Sequence, residues 1–264
     1  MRPLRQLNNN KKREPPIKKA GQTIALLVPI CIGLIYSQSM KTNQYTYILV
    51  HGMTGGGWDW KQMDSLLSAE GHIVYRPTLT GLGEKNHLLS PDIDLSTHIL
   101  DIVNLIKFEQ LDNIILVGHS YGGMVITGVM NQIPERIQHS FFLDALVPDH
   151  GMSAMDVAGR FLSFETEDGI VYPPWLDNKR LIPGDVPHPL KTLTEKVAYN
   201  NQVAIALPVT YVAFIPLELT REQRAEDPSW QRAKQRGWAI KTLNSDHNAQ
   251  RSNPETLKKL LISF

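Results

Sequence analysis

The stretch Asn113-Ile-Ile-Leu-Val-Gly-His-Ser-Tyr-Gly-Gly-Met-Val-Ile-Thr127 decides the fold. Its opening, Asn113-Ile-Ile-Leu-Val117, is a near-continuous apolar run, the pattern of a strand covered on both faces in a parallel sheet. From Met124 to Gln132 the sequence reads as a helix. Between the two lies Gly118-His-Ser-Tyr-Gly-Gly123, a Gly-x-Ser-x-Gly match. The match alone is weak, but its setting of strand, sharp turn and helix is the one that lifts a serine hydroxyl above a sheet. The glycines leave room for a bend that a Cβ would block. The helix N-terminus behind the serine aims backbone N–H groups at any negative charge that develops there. Ser120 is therefore the candidate nucleophile.

Working outward, short apolar runs alternate with amphipathic stretches, which predicts a sheet with crossover helices. Strands are expected at Tyr45 to Val50, His72 to Arg76, Ser140 to Asp144, Val209 to Phe214 and Trp238 to Leu243. Helices are expected at Trp60 to Ala69, Ser96 to Phe108 with Ser96 as N-cap, and Pro254 to Ile262. Residues 148 to about 205 break the rhythm with Pro173-Pro174, Pro183-Gly184, Pro187 and Pro189, and are expected to form an inserted lid with helical patches at Ala154 to Leu162 and Pro189 to Ala198.

The first 42 residues stand apart. Residues 1–22 carry seven basic side chains against Glu14, and Ile24 to Tyr36 is an uncharged run of thirteen, followed by Ser37-Gln38-Ser39. That order matches an export signal, and the run is short for a membrane span of about 20 residues. The expectation is an exported protein, periplasmic or extracellular, with residues 24–36 either removed or kept as an anchor. The fold is then carried by residues 43–264. Cys31, the only cysteine, excludes an intrachain disulfide and a cysteine zinc site. Lys and Arg number 27 against 26 Asp and Glu, a net charge of +1, so no strong field exists to gather nucleic acid.

A serine at its ordinary pKa needs a base, and nine histidines compete. His247 follows the last apolar strand and precedes the last helix, the place and chain order expected of the base. His51 and His119 flank glycines beside the site, as structural or lining groups. His72, His87, His98, His139, His150 and His188 fall on edges, loops or the lid and are expected to be solvated. No pair has metal-ligand spacing, and no cofactor is called for.

Leu49-Val-His-Gly-Met-Thr-Gly-Gly-Gly-Trp58, Pro77-Thr-Leu-Thr-Gly-Leu-Gly83, Gly118 to Gly123 and Asp246-His247 together resemble the α/β-hydrolase superfamily, in particular its small esterases close to plant hydroxynitrile lyases and methyl esterases. The resemblance runs over about residues 45–264. It implies an α/β fold, with a mostly parallel sheet, crossover helices and a small inserted lid. It also implies an oxyanion hole made by the backbone N–H groups of Met53 and Tyr121. The glycine-rich strand exit His51 to Gly57 agrees, because it can bring a backbone amide close to a ligand.

Relatives often carry the acid just beyond the strand at Val209 to Phe214, where this chain has no Asp. Asp144 is the expected acid, since a carboxylate that ends an apolar strand is costly unless paired and His247 can be its partner. Glu218 is the alternative, with Asp227 behind it. Relatives that are lyases have a Lys where this chain has Asn248 and a Thr where it has Gly52, so the resemblance favours hydrolysis of a small carboxylic ester through an acyl-enzyme. A lyase, or a ligand-binding homologue without turnover, is the alternative. Gly52, Trp58 and His119 are expected to touch substrate. Met155, Phe161, Phe164, Tyr172 and Trp175 in the lid suggest an apolar or aromatic group, or simply form the lid's own core.

Overall fold

The computed structural model describes residues 43–159, 164–176 and 182–263. The segment 24–36, Cys31 and Phe161 lie outside the described residues. Along the chain come β1 (Thr46–Val50), α1 (Lys61–Ala69), β2 (Ile73–Tyr75), α2 (Leu95–Phe108), β3 (Ile114–His119), α3 (Gly122–Gln132) and β4 (Ile137–Leu143). A long insertion follows, holding α4 (Ala154–Ala158), β5 (Glu165–Glu167), β6 (Ile170–Tyr172), β7 (His188–Pro189), α5 (Lys191–Thr194) and α6 (Gln202–Ile205). The chain returns through β8 (Val209–Ile215), α7 (Arg221–Ala225), α8 (Pro228–Gln235), β9 (Ala239–Asn244), α9 (Ala249–Ser252) and α10 (Pro254–Ile262).

Six strands form one sheet in the order β2-β1-β3-β4-β8-β9, and every neighbouring pair is parallel. Side chains alternate between the faces of a strand, so the central strands feed two cores. Ile48, Val50, Ile114 and Leu116 pack with Ile102 and Val103 of α2 and Met124 and Val125 of α3. Tyr47, Leu49, Ile115 and Val117 face the other way, against Met63 and Leu67 of α1 and Leu257 and Leu261 of α10. Helices on both faces explain why these strands read as unbroken apolar runs.

The cap of α2 is Asp94, which accepts from Thr97 N at 2.8 Å, and not Ser96. Ser96 already sits inside the helix, and its N–H and hydroxyl bind Glu195 instead. In the insertion α4 covers Ala154–Ala158 of the first expected patch, with Gly159 at φ +57° as its C-cap, and residues 160–162 lie outside the described residues. The second patch is less helical than expected, because His188–Pro189 belongs to a three-stranded antiparallel sheet, β5-β6-β7, leaving Lys191–Thr194 as α5. Helices α7 and α8 have no counterpart in the periodicity reading. They are short, and their ends are set locally by a Thr220–Gln223 capping box and by Asp227, which accepts from Ser229 N and Trp230 N. Among the described residues no helix is long and apolar enough to cross a membrane.

Candidate active site

The turn after β3 places Ser120 at φ +53°, a left-handed conformation rare for a residue with a Cβ. It forms because the neighbouring positions are glycine. A Cβ on Gly118 would lie 2.8 Å from Gly122 O, and one on Gly122 would lie 2.8 Å from Val50 O. Ser120 N donates to Leu143 O at 3.2 Å, tying the turn to the end of β4. Two other residues of the site, Thr54 at φ +65° and Asp144 at φ +47°, share this strained backbone. Strain of this kind persists only where the surroundings over-determine it.

Asp144 follows β4 directly, and its N–H donates to Val212 O at 2.8 Å. His247 lies in the loop after β9, where Asn248 N donates to the Asp246 carboxylate at 2.8 Å. The two meet with His247 Nδ1 2.5 Å from Asp144 Oδ2. Asp144 Oδ1 accepts from Arg224 Nη2 and from Phe214 N. The carboxylate is 10% exposed, and burial by itself would push its pKa up. The hydrogen bond and charge of His247, with Arg224, hold it below the usual carboxylate range.

Of the three candidate acids, the structure brings Asp144 to the imidazole. Glu218 is exposed, in the loop after β8. Asp227 caps α8 and pairs with Arg224 at 3.1 Å. Arg224 therefore joins both aspartates. It escaped the sequence reading, although a buried carboxylate at position 144 called for some such partner.

Ser120 and His247 line one cavity of about 560 Å³ with Gly52, Met53, His119 and Tyr121. Nδ1 of His247 is engaged by Asp144, which leaves Nε2 as its free nitrogen. No hydrogen bond joins it to Ser120 among the described residues, and such bonds commonly tighten only when substrate is held. The backbone N–H groups of Met53 and Tyr121 likewise have no partner among the described residues. His119 Nε2 donates to His247 O at 2.6 Å, so this lining residue also fixes the loop that carries His247.

Trp58, expected to touch substrate, does not line this cavity. The strand exit bends into a 3₁₀ turn at Gly57–Trp60 that sends Asp59 to the cavity, while the Trp58 ring lies 5.3 Å from the Arg251 guanidinium and lines a neighbouring cavity of about 360 Å³. From the insertion, Phe164 and Trp175 reach the Ser120 cavity, with ring centroids 5.1 Å apart. Met155 packs on the core instead, and Tyr172 is exposed. A polar end made by Asp59, Asp185 and Arg251 was not anticipated. Burial pushes the Asp59 carboxyl up to about 6 even though Arg251 opposes the shift. Asp185 is raised for the same reason.

Three histidines expected in solvent are buried: His98 and His188 completely, and His72 at 9% exposure. His98 shares the buried face of α2 with Ile99, Ile102 and Ile106, so the helical period carries its signal, whereas His72 and His188 lie at the ends of short segments and are buried by contacts across the fold. His98 Nδ1 accepts from the Tyr121 hydroxyl at 2.9 Å, and its Nε2 donates to Thr80 O at 2.9 Å. Burial lowers His51 and His98 to about 4 and His119 to about 3, and lowers His188 as well.

These shifts predict an acid-sensitive fold. Each histidine gains a proton near pH 6.5 when unfolded but refuses it when folded, so stability falls as pH drops below 6.5 towards 4. Each contributes about 1.4 kcal/mol per pH unit. Asp59 and Asp185 run the other way, because their raised carboxyls favour the folded, protonated form as pH falls. The four histidines outweigh them, and Tm is expected to drop by on the order of 10 °C from pH 7 to 5. Calorimetry at the two pH values checks this, and a Tm that rises or stays level would contradict it.

A parallel sheet crossed by helices, with a serine in a strained strand-to-helix turn and a histidine–aspartate pair at the ends of other strands, defines an α/β hydrolase. The chain belongs to the alpha/beta hydrolase family, whose model matches residues 47–259. It is 49% identical over 109 residues to the carbendazim hydrolyzing esterase of Nocardioides sp. (strain SG-4G), a match covering 41% of this chain and 45% of that protein. It is 30% identical over 155 residues to salicylic acid-binding protein 2 of Nicotiana tabacum, covering 58% and 57%. The matched stretches thus span about half the length of these relatives. Among solved structures, an extracellular α/β-hydrolase from a Paenibacillus species superposes with a TM-score of 0.67 at 23% identity, over 83% of this chain and 98% of that one.

Proposed function

We propose that this protein hydrolyses carboxylic esters through an acyl-enzyme. The observation that carries the reading is the cavity in which Ser120, on its strained turn, meets a histidine held at 2.5 Å by a buried aspartate. In the proposed cycle Ser120 Oγ attacks the ester carbon and gives its proton to His247 Nε2. The tetrahedral oxyanion accepts from the Met53 and Tyr121 amides, and His247 passes the proton to the leaving alkoxide. His247 then takes a proton from water, which attacks the acyl-enzyme and releases the acid. Asp144 balances the imidazolium in both halves.

The names of the relatives support esterase chemistry. The one permanent cation lining the cavity among the described residues, Arg251, is engaged by Asp59 at 3.4 Å, which supports hydrolysis over a lyase reaction that needs a free cation. Phe164, Trp175 and Leu146 along a cavity of about 560 Å³ favour an ester with an aromatic or medium apolar group. A fluorophosphonate probe should label Ser120, and a panel of p-nitrophenyl esters should give steady turnover. Labelling without turnover would point to the ligand-binding alternative.

We also infer that residues 1–42 serve export or anchoring and not the fold. Thr42–Phe264 is one compact unit whose first strand begins at Thr46, and a basic lead before an uncharged run supports a targeting role. A chain starting at residue 43 is expected to fold with unchanged kcat and a Tm within a few degrees of the full chain. An insoluble or inactive product would show that the removed residues pack on the domain.

A further inference from the structure

The proposed oxyanion donor, the Met53 N–H, lies in a turn whose successive peptide units are each held by a buried histidine. The carbonyl of Gly52 accepts from His51 Nδ1 at 2.8 Å, while His51 Nε2 accepts from Leu79 N at 3.1 Å, so the tautomer of His51 is fixed. In a trans peptide the C=O and N–H point in opposite directions. A Gly52 carbonyl pinned to His51 therefore turns the Met53 N–H away from that ring, to the side of the cavity that Met53 lines.

The next unit is held from the insertion between β4 and β8. Thr54 N donates to His188 Nδ1 at 3.3 Å, Thr54 O accepts from Val186 N at 2.9 Å, and Thr54 Oγ1 accepts from Trp175 Nε1 at 3.3 Å while donating to Met53 O at 2.6 Å. A β-branched residue at φ +65° is a backbone outlier that needs such support. His188 is completely buried and its tautomer is also fixed. Nδ1 accepts from Thr54, so Nε2 carries the proton and donates to Thr192 Oγ1 at 2.8 Å, whose own hydrogen goes to Pro189 O at 2.7 Å. The same ring stands edge-on to Tyr121, centroids 5.0 Å apart, beside the second proposed donor.

We propose that His188 is a positioning residue for the oxyanion turn: through its bond to Thr54 N–H, the insertion sets the direction of the Met53 amide, so the hole is assembled from two distant parts of the chain. The inference rests on the reading of Met53 as an oxyanion donor in ester hydrolysis. His188 touches no substrate in this scheme. Its effect is on transition-state binding, and it should appear in kcat and not in KM.

Three variants that differ in where they offer a polar atom test it. In His188→Asn the side-chain amide can place its Oδ1 where Nδ1 stood and accept from Thr54. His188→Gln keeps a polar atom near Thr192 but offers none at the Nδ1 position, and His188→Leu offers neither. The expected result is kcat within about threefold of wild type for the Asn variant, and a loss of about 10- to 100-fold for Gln and Leu, as a misplacement near 1 Å can cost. KM should stay within about threefold throughout. The rate of fluorophosphonate labelling of Ser120 should fall in the same order, since that step also develops negative charge on oxygen. Should the Leu variant fail to fold, the Asn and Gln pair decides the question. A Gln variant as active as wild type, or losses confined to KM, overturns the positioning role while the esterase reading stands. A wild-type protein that neither turns over esters nor labels at Ser120 overturns both.

Discussion

Replacing Ser120 with alanine is expected to lower kcat for ester hydrolysis by about 10⁶-fold, the scale seen when a serine nucleophile is removed, and to abolish fluorophosphonate labelling. The loss is this large because nothing nearby can take over. The other hydroxyl on the same cavity wall, that of Thr54, is committed to Met53 O and Trp175 Nε1, and the Tyr121 hydroxyl is turned away to His98. Folding should be untouched. The strained turn is anchored by its backbone, through Ser120 N to Leu143 O and Leu146 N to Ser120 O, and the lost hydroxyl makes no hydrogen bond with a described residue. A Tm within about 2 °C of wild type is expected, consistent with a change of under about 0.5 kcal/mol. Turnover by the purified variant within tenfold of wild type would remove Ser120 from the mechanism.

Asp144→Asn should cost about 10⁴-fold in kcat with little change in KM, and the hydrogen bonds around the carboxylate say why. Oδ1 accepts from Arg224 Nη2 and Phe214 N, so an asparagine is compelled to keep its carbonyl oxygen on that side. Its NH₂ then faces His247 Nδ1 where Oδ2 stood, and being a donor it forces the imidazole proton onto Nε2. An imidazole with Nε2 protonated cannot accept from Ser120. The fold should survive, because Arg224 keeps Asp227 as an ion partner. Glu218→Gln, at an exposed position with no hydrogen bond to the imidazole among the described residues, should leave kcat within about twofold of wild type. If the Glu218 variant carries the large loss and the Asp144 variant does not, the acid has to be sought in the loop after β8. Kinetics of the two variants on one chromogenic ester decide the matter.

Much of this molecule is legible before any coordinate is known. The run Ile114 to Val117 has to be a doubly covered strand, because four apolar side chains in succession leave no face for water. The glycines at 118, 122 and 123 then permit one kind of turn, with Ser120 at its tip. Local pattern also places His247 after the last strand, as its position between an apolar run and a helix required.

The sequence favours Asp144, because it ends an apolar strand, but does not by itself set Glu218 and Asp227 aside, since which carboxylate meets the imidazole depends on strand order. The parallel pairing of β4 with β8 and of β8 with β9 brings residues 144, 224 and 247 together, across separations of up to 103 positions. The same holds for the buried histidines. His188 looks like a surface residue in its own segment, and the docking of the insertion on the strand exit buries it as a neutral ring, while His98 is buried on the inner face of α2 between Tyr121 and Thr80. Periodicity and turn chemistry act within a few residues and so can be read from the sequence. Which polar groups meet in the interior is fixed by strand order and packing, and that only the tertiary structure decides.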